Sequence, residues 1–152
     1  MPSKHDKKGR TKGSGRFVML PHFMLETAAW QALTVYERAT YIEVAKLYDG
    51  ANNGFLAMGA RRLGELLGGS KNTGSKALRG LVDKGFLELA EKSGFSRKDR
   101  AATAYRLTLC RCDRTQQPGS RAFQKWRPST GEEKSTVPPD DRTVPRRGTV
   151  AL

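Results

Sequence analysis

The side chains that could perform catalysis or bind a metal ion are few, and their spacing fits neither role. His5 lies in a polar, basic stretch at the N-terminus, and His22 lies in an apolar stretch where a histidine packed in the core is expected. Cys110 and Cys112 lack a second pair of Cys or His ligands, so no zinc site within one chain is predicted. Two cysteines are also too few for a disulfide framework, and we expect reduced thiols, no metal and no cofactor.

The glycines do not form a nucleotide-binding loop either. Gly64, Gly68 and Gly69 lie at the end of a predicted helix, and no Lys-Ser or Lys-Thr pair follows them at the spacing that phosphate binding requires. The acidic residues do not cluster in the manner of a two-metal site. We therefore expect that the chain is not an enzyme.

Positive charge is the most prominent chemical property of the chain. Lys and Arg number 28 against 15 Asp and Glu, which gives a formal net charge of +13 and a pI near 10.2. Residues 1–16 carry +5 of this charge, residues 17–109 carry +4 and residues 110–152 carry +4. A chain this basic is expected to bind a polyanion such as nucleic acid.

The length and composition predict one domain with tails. A chain of 152 residues is short for two domains, and its apolar residues are concentrated in the middle. Residues 1–16 are expected to form a flexible basic arm, and residues 129–152, with short Thr-Val-Pro repeats, a disordered Pro-rich tail. There is no apolar run of about 18 residues and no secretory signal, so we expect a soluble cytoplasmic protein without a membrane segment.

Residues 111–128 are predicted to be a linker that contains an aromatic docking segment. Phe123 and Trp126 are three residues apart and share one face of a helical turn. We expect these aromatic rings to dock on the core, and the alternative is an anchor for a partner protein.

The first long helix is predicted to begin at Thr34, because Thr34 and Glu37 fit a capping box. Gly50 provides the stop. The apolar face of this helix is expected at Ala39, Ile42 and Ala45. It is widened by Tyr41, Val44, Leu47 and Tyr48. The preceding residues indicate an extended piece broken at Pro21 and a short helix capped by Thr27.

Two further helices and a hairpin are predicted after this helix. The second helix covers residues 60–67, with Leu63, Leu66 and Leu67 inward, and the third runs from its cap at Ser70 to Gly85. The small residues Gly74 and Ala77 allow close approach of the second helix. A short strand is expected at residues 55–58, and residues 86–89 and 105–109 fit a two-stranded hairpin joined by a long basic loop.

The predicted order of helix, strand, helix, helix and hairpin resembles that of a known family of proteins. The stretch from about Pro21 to Leu109, especially LYDGANNGFLAMGARRLGELLGGSKNTGSKALRGLVDKGFLELAEK with AYRLT, resembles bacterial winged helix-turn-helix proteins related to plasmid or phage replication proteins and small transcription regulators. The resemblance implies a mainly α fold with a small β-hairpin, a winged helix-turn-helix domain over residues 17–110, and location at a bacterial nucleoid or plasmid. Gly59 departs from the pattern, because Ser or Thr often caps the second helix in such proteins.

The resemblance also implies which residues contact double-stranded DNA. The third helix would enter the major groove and present polar side chains to base edges, namely Lys71, Asn72, Ser75, Lys76 and Arg79. The DNA backbone would be contacted from the start of the second helix and from the wing, through Arg61, Arg62, Arg97, Lys98 and Arg100.

Three functional interpretations follow from these assignments. We expect a sequence-specific DNA-binding protein that acts in transcription regulation or in plasmid or phage replication. The alternatives are a non-specific nucleic-acid binder and a winged-helix module for protein contacts. One winged helix covers little DNA, so a homodimer on a pseudo-palindromic site is compatible with the sequence.

Overall fold

A computed structural model of the chain describes residues 16–91 and 102–129. Within these stretches the structure is mainly helical with a small three-stranded antiparallel sheet, and a 3₁₀ turn follows at Ala122–Gln124. In chain order the helices and strands are α1 (His22–Leu25), α2 (Ala28–Gln31), α3 (Val35–Ala45), β1 (Leu56–Ala57), α4 (Ala60–Leu66), α5 (Lys71–Asp83), β2 (Leu87–Glu91) and β3 (Ala104–Leu107).

Some predicted features lie outside the described residues. These are the basic arm up to residue 15, the wing residues and the Pro-rich tail from residue 130 onward. Arg16 is described, and its guanidinium donates to the backbone carbonyls of Lys46 and Tyr48. No helix in the described part of the chain is long and apolar enough to cross a bilayer.

The predicted helix starts are confirmed by their side-chain caps. The Thr27 hydroxyl accepts from the Trp30 N–H, and Thr34 and Glu37 form a complete capping box at α3. Ser70 caps α5 and forms a second capping box with Thr73. Each cap satisfies backbone N–H groups that have no partner inside the helix.

The predicted faces of two helices are partly wrong. α3 ends at Ala45 rather than near Gly50, and Ile42 is 38% exposed, whereas Tyr41 and Val44 are buried. Leu66 of α4 is 51% exposed. A helical repeat places residues on a common face, but the neighbouring elements decide which face turns toward the core.

The N-terminal segment differs from its prediction in two respects. Residues after Pro21 form the short helix α1, which had not been predicted, and this helix buries Met24. His22, expected to be packed, is exposed. The first position of α1 turns its side chain outward while Met24, two residues further on, turns inward.

The sheet has three strands rather than the two of the predicted hairpin. β3 is the central strand and pairs antiparallel with both β1 and β2. Leu87 pairs with Leu107, and both are buried in the core. Glu88 pairs with Arg106 on the opposite face, where the two side chains form an ion pair. The strand predicted near residue 56 thus becomes one edge of the sheet.

The aromatic core extends beyond the predicted domain boundary. Trp30, Tyr41 and Phe86 pack edge to face, with ring centroids 5.6 to 5.8 Å apart. Phe123 stacks on Phe86 at 5.0 Å and is buried, which confirms that it docks on the core. Trp126 packs against the same core. The segment predicted to dock through its aromatic rings thus supplies part of the core.

A single buried amide joins the turn before β1 to the chain after β3. The Asn53 side chain is fully buried and donates to the carbonyls of Leu107, Cys110 and Arg111. Its carbonyl oxygen accepts from the Leu107 N–H at 2.7 Å. The backbone N–H of Asn53 also donates to the Asp113 carboxylate at 2.7 Å. The sequence indicated only a turn here, because these partners lie far along the chain.

We predict that Asn53→Ala destabilises the fold strongly. Removing the amide leaves a buried N–H and buried carbonyls without partners, and each such group costs about 1 to 3 kcal/mol. The free energy of unfolding in urea should therefore fall by about 3 kcal/mol or more. Asn72→Ala is the matched control, because Asn72 is exposed, and its change should stay within about 0.5 kcal/mol. Equal stability of the two variants would contradict this role of Asn53.

Candidate nucleic-acid interface

Two glycines bring α4 and α5 into direct backbone contact. A methyl group at Gly64 would overlap with the Ser70 carbonyl, and one at Gly74 would overlap with the Ala60 carbonyl. The sequence predicted close approach at Gly74, and this is confirmed. The two backbones touch where α4 and α5 cross. The position of α5 on the domain therefore depends on the absence of side chains at Gly64 and Gly74.

The outward face of α5 is polar and basic. Gly74, Ala77, Leu78 and Leu81 are buried against the rest of the domain. Lys71, Asn72, Lys76 and Arg79 are exposed, as the helical repeat predicted, whereas Ser75 is half-buried. The first two turns of α5 therefore present long polar side chains to solvent.

Four of the five predicted base-contacting residues divide between two flanks of α5. Ser75 and Arg79 line a hollow of about 310 Å³ on the side of the sheet, together with Leu89 and Tyr105. Asn72 and Lys76 line a second hollow, of about 350 Å³, on the side of α3, together with Thr34 and Tyr36. Sequence spacing showed that these side chains point outward, but not that α3 and the sheet form walls on either side of them.

Tyr36 is a candidate polar contact that sequence reasoning missed. It lies in the first turn of α3, is 53% exposed, and lines the same hollow as Asn72 and Lys76. Its position beside α5 depends on the packing of α3, so sequence spacing carried no signal for it.

The two arginines of α4 lie on the same helix pair. Arg61 and Arg62 are both exposed in the first turn of α4, and Gly59 begins this helix without a side-chain cap. None of the cations on α4 and α5 makes an ion pair or a hydrogen bond with another residue of the described ranges. These cations are Arg61, Arg62, Lys71, Lys76 and Arg79. Their charge is thus available to an anionic partner.

The remaining predicted backbone contacts, Arg97, Lys98 and Arg100, lie outside the described residues. The structure describes the strands that flank them, β2 up to residue 91 and β3 from residue 104. Both strands belong to the sheet that forms one wall of the hollow containing Arg79.

A buried carboxylate under α5 fixes the position of this helix relative to α3. Glu37 accepts from the Thr34 N–H at 2.6 Å and from Lys84 Nζ at 2.8 Å. A methyl group at Gly80 would overlap with this carboxylate. The sequence identified Glu37 only as part of a helix cap. The one feature of the sequence that indicated a close contact here was Gly80, a glycine in the middle of a helix.

The hydrogen bonds of Glu37 favour its ionised form. Burial alone would raise the pKa of this carboxyl. The hydrogen bonds from Lys84 and from Thr34, together with the charge of Lys84, outweigh that effect and hold the pKa below its ordinary value. The buried side chain is therefore a carboxylate paired with a lysine at neutral pH.

Comparisons with known proteins do not indicate a function for this chain. No protein-family model matches the chain, and no curated protein or solved structure is similar enough to count as a match.

We predict that Gly74→Ala destabilises the domain although alanine is the better helix former. Alanine gains about 1 kcal/mol in helix propensity, but its methyl group overlaps with backbone atoms, so overpacking should cost about 3 kcal/mol. Gly59→Ser is the matched control, because nothing lies near Gly59, and serine there can cap α4. Thermal unfolding should show a lower Tm for the first variant only, and a raised Tm for Gly74→Ala would contradict the contact.

We predict that the Glu37 carboxylate makes stability depend on acidic pH. A carboxyl with a lower pKa in the folded chain stabilises the fold above about pH 4.5, and this contribution disappears as the pH falls through the folded-state pKa. The urea unfolding free energy should thus decrease between pH 5 and 3. Glu37→Gln should lower stability at pH 7 by about 1 to 3 kcal/mol and flatten this decrease.

Some acid sensitivity should remain in the Glu37→Gln variant. Burial raises the pKa of Glu88, but hydrogen bonds from Ser120 and Arg106 outweigh that effect and lower it. Glu88→Gln is therefore the comparison that separates the two carboxyls. An unchanged pH dependence in Glu37→Gln would show that Glu37 does not titrate as argued.

Proposed function

We propose that this chain is a sequence-specific double-stranded DNA-binding protein with a winged helix-turn-helix domain, acting in transcription regulation or in plasmid or phage replication. The observation that carries the proposal is the outward face of α5, where Asn72, Lys76 and Arg79 are exposed on a helix held by backbone contact with α4. Amide, ammonium and guanidinium groups are the side chains that read base edges in the major groove.

The order of elements supports the winged helix-turn-helix assignment. The helix α3 is followed by β1, α4, α5 and the β2–β3 hairpin, and the strand order is β1-β3-β2. In such a domain the last helix of the pair lies in the major groove and the hairpin loop forms the wing. The residues between β2 and β3 carry the positive charge that a wing requires, with Lys92, Arg97, Lys98 and Arg100 against Asp99.

The proposed mechanism separates base reading from backbone binding. Asn72 pairs with adenine and Lys76 or Arg79 with guanine, and each good pair discriminates by about 1 to 3 kcal/mol. Arg61 and Arg62 bind phosphates and fix the register of α5 without reading sequence. Arg97, Lys98 and Arg100 reach the backbone or an adjacent groove from the wing.

The burial of Phe123 weighs against the protein-interaction alternative. That interpretation needed Phe123 and Trp126 as an exposed anchor, whereas Phe123 is buried against Phe86. The cations on α4 and α5, which no other residue in 16–91 or 102–129 pairs with, instead favour an anionic partner. We further propose that two copies bind a pseudo-palindromic site, since one such helix reads few base pairs.

Selection of bound duplexes from a random pool at physiological salt tests the proposal. The wild-type protein should enrich a defined sequence, and the length of the footprint reports whether one or two domains bind. Asn72→Ala should relax the preference at one position by about 5- to 150-fold, because it removes a base contact worth about 1 to 3 kcal/mol. Enrichment of no sequence by the wild-type protein would overturn specific binding.

Arg61→Gln serves as the matched backbone variant. It should weaken binding to every duplex alike and reduce the slope of log K against log salt by about 0.9, because one phosphate contact is lost. A change in sequence preference in this variant would contradict the assignment of Arg61 to the backbone.

A further inference from the structure

A cavity of about 390 Å³ lies beside α3 and apart from the candidate nucleic-acid interface. Its walls come from the chain before α1, from α3 and the turn after it, and from β3 and the residues that follow. No residue of α4 (Ala60–Leu66) or α5 (Lys71–Asp83) lines it. Its volume is in the range of sites that hold small organic molecules.

Apolar side chains contribute much of the cavity lining. Ala45 belongs to α3, Leu107 and Leu109 lie on the side of the sheet, and Phe17 and Met19 belong to the chain before α1. Phe17 is 77% exposed and Met19 is 63% exposed, so both have apolar surface that a ligand in the cavity would cover. Removing such surface from water favours the binding of an apolar molecule.

The wall that contains Phe17 is attached to the end of α3. The Arg16 guanidinium donates to the carbonyl of Lys46 at 3.1 Å and to the carbonyl of Tyr48 at 3.4 Å. Both carbonyls follow the last residue of α3, where backbone carbonyls have no partner inside the helix. These bonds hold the chain before α1 beside the cavity.

The Tyr41 hydroxyl is a buried polar group that faces the cavity. The Tyr41 ring packs edge to face on Trp30 and Phe86, and the residue is 1% exposed. Because the core encloses the ring, the hydroxyl is the part of Tyr41 that reaches the cavity, next to Cys110. This hydroxyl makes no hydrogen bond with any residue in 16–91 or 102–129.

The surroundings of Tyr41 keep its hydroxyl a hydrogen-bond donor. Burial, and to a smaller degree the neighbouring Cys110, raise the pKa of Tyr41 above its ordinary value. The phenol is therefore protonated at neutral pH. A buried donor without a partner is unfavourable, so a ligand that supplies an acceptor atom gains affinity from it.

The two charged residues of the lining have opposite signs. The Arg16 guanidinium is bonded to backbone carbonyls, and the Asp49 carboxylate accepts from the Ala51 N–H at 2.8 Å. Both side chains are exposed. An ion of either sign would meet one group of like charge, whereas an uncharged molecule would meet no repulsion.

We propose that this cavity binds a small uncharged molecule with an apolar body and a carbonyl oxygen. The carbonyl oxygen accepts from the Tyr41 hydroxyl, and the apolar body packs against Ala45, Phe17 and Met19. This site goes beyond the proposed DNA binding and does not depend on it, because its lining shares no residue with α4 or α5.

Benzophenone, an uncharged ketone with two phenyl rings, is the probe for this site. Calorimetric titration of the full chain should show saturable binding of one molecule, with a Kd on the order of 100 µM. Under near-ultraviolet light benzophenone attaches to neighbouring C–H bonds, and mass spectrometry should find the adducts within residues 16–19, 41–50 and 107–110. Absence of saturable binding, or adducts only elsewhere in the chain, would overturn the proposal.

Tyr41→Phe tests the hydrogen bond, because it removes the hydroxyl and keeps the ring. Benzophenone binding should weaken by about 3- to 10-fold, the effect of one neutral hydrogen bond. Diphenylmethane has the same two rings without the carbonyl oxygen, and its binding should stay unchanged. Equal weakening for both molecules would show a packing defect and refute the role of the hydroxyl.

Tyr36→Phe is the matched control for this variant. It removes a hydroxyl from an exposed residue of the same helix that does not line the cavity. Benzophenone should bind this control as it binds the wild type. A loss as large as that of Tyr41→Phe would contradict the assignment of the hydrogen bond to Tyr41.

Ala45→Leu tests the cavity itself, because the larger side chain occupies part of its volume. Binding of both molecules should weaken at least about tenfold. Ala28→Leu is the matched control, since Ala28 is exposed on α2 and does not line the cavity. The Tm of each variant reports whether it is folded. Unchanged benzophenone binding in folded Ala45→Leu would place the ligand elsewhere and overturn the site.

Discussion

The backbone contact between α4 and α5 is the constraint on which the candidate interface depends. Gly64 and Gly74 face carbonyl groups of the opposite helix, so that no side chain separates the two backbones. The orientation of α5 then decides which of its residues face solvent, and Glu37 secures the other side of the helix through Gly80 and Lys84. A helix fixed on both sides presents its polar face in one orientation, which specific recognition requires.

The distribution of charge explains how a domain of modest net charge can offer strongly basic surfaces. Glu37 lies buried under α5 and Glu88 lies on the outer face of the sheet, and they hold Lys84 and Arg106 in ion pairs. Acidic charge paired in this way does not compensate the exposed cations on α4 and α5. Net charge is therefore a poor measure of the field that a nucleic acid would meet, since the field depends on where each sign is placed.

What could be predicted from the sequence was local. Capping boxes such as those of Thr34 and Ser70 involve residues three apart, and the exposure of the polar face of α5 followed from the helical repeat. That Phe123 docks on the core was predicted, but its stacking on Phe86 and the partners of Asn53 could not be, because these contacts join residues 37 to 60 positions apart. The exposure of Ile42 was mispredicted for the same reason, since packing between elements selects the buried face.

The Asn53 network also has a consequence for the order in which the domain folds. The contact between α4 and α5 joins residues at most 14 positions apart, whereas the amide of Asn53 bonds to residues 54 to 58 positions further on. Closing so long a loop costs entropy before any contact forms. We therefore expect the α4–α5 pair to assemble first in a chain emerging from the ribosome, while the turn at Asn53 waits for β3 and the residues that follow it to be synthesised.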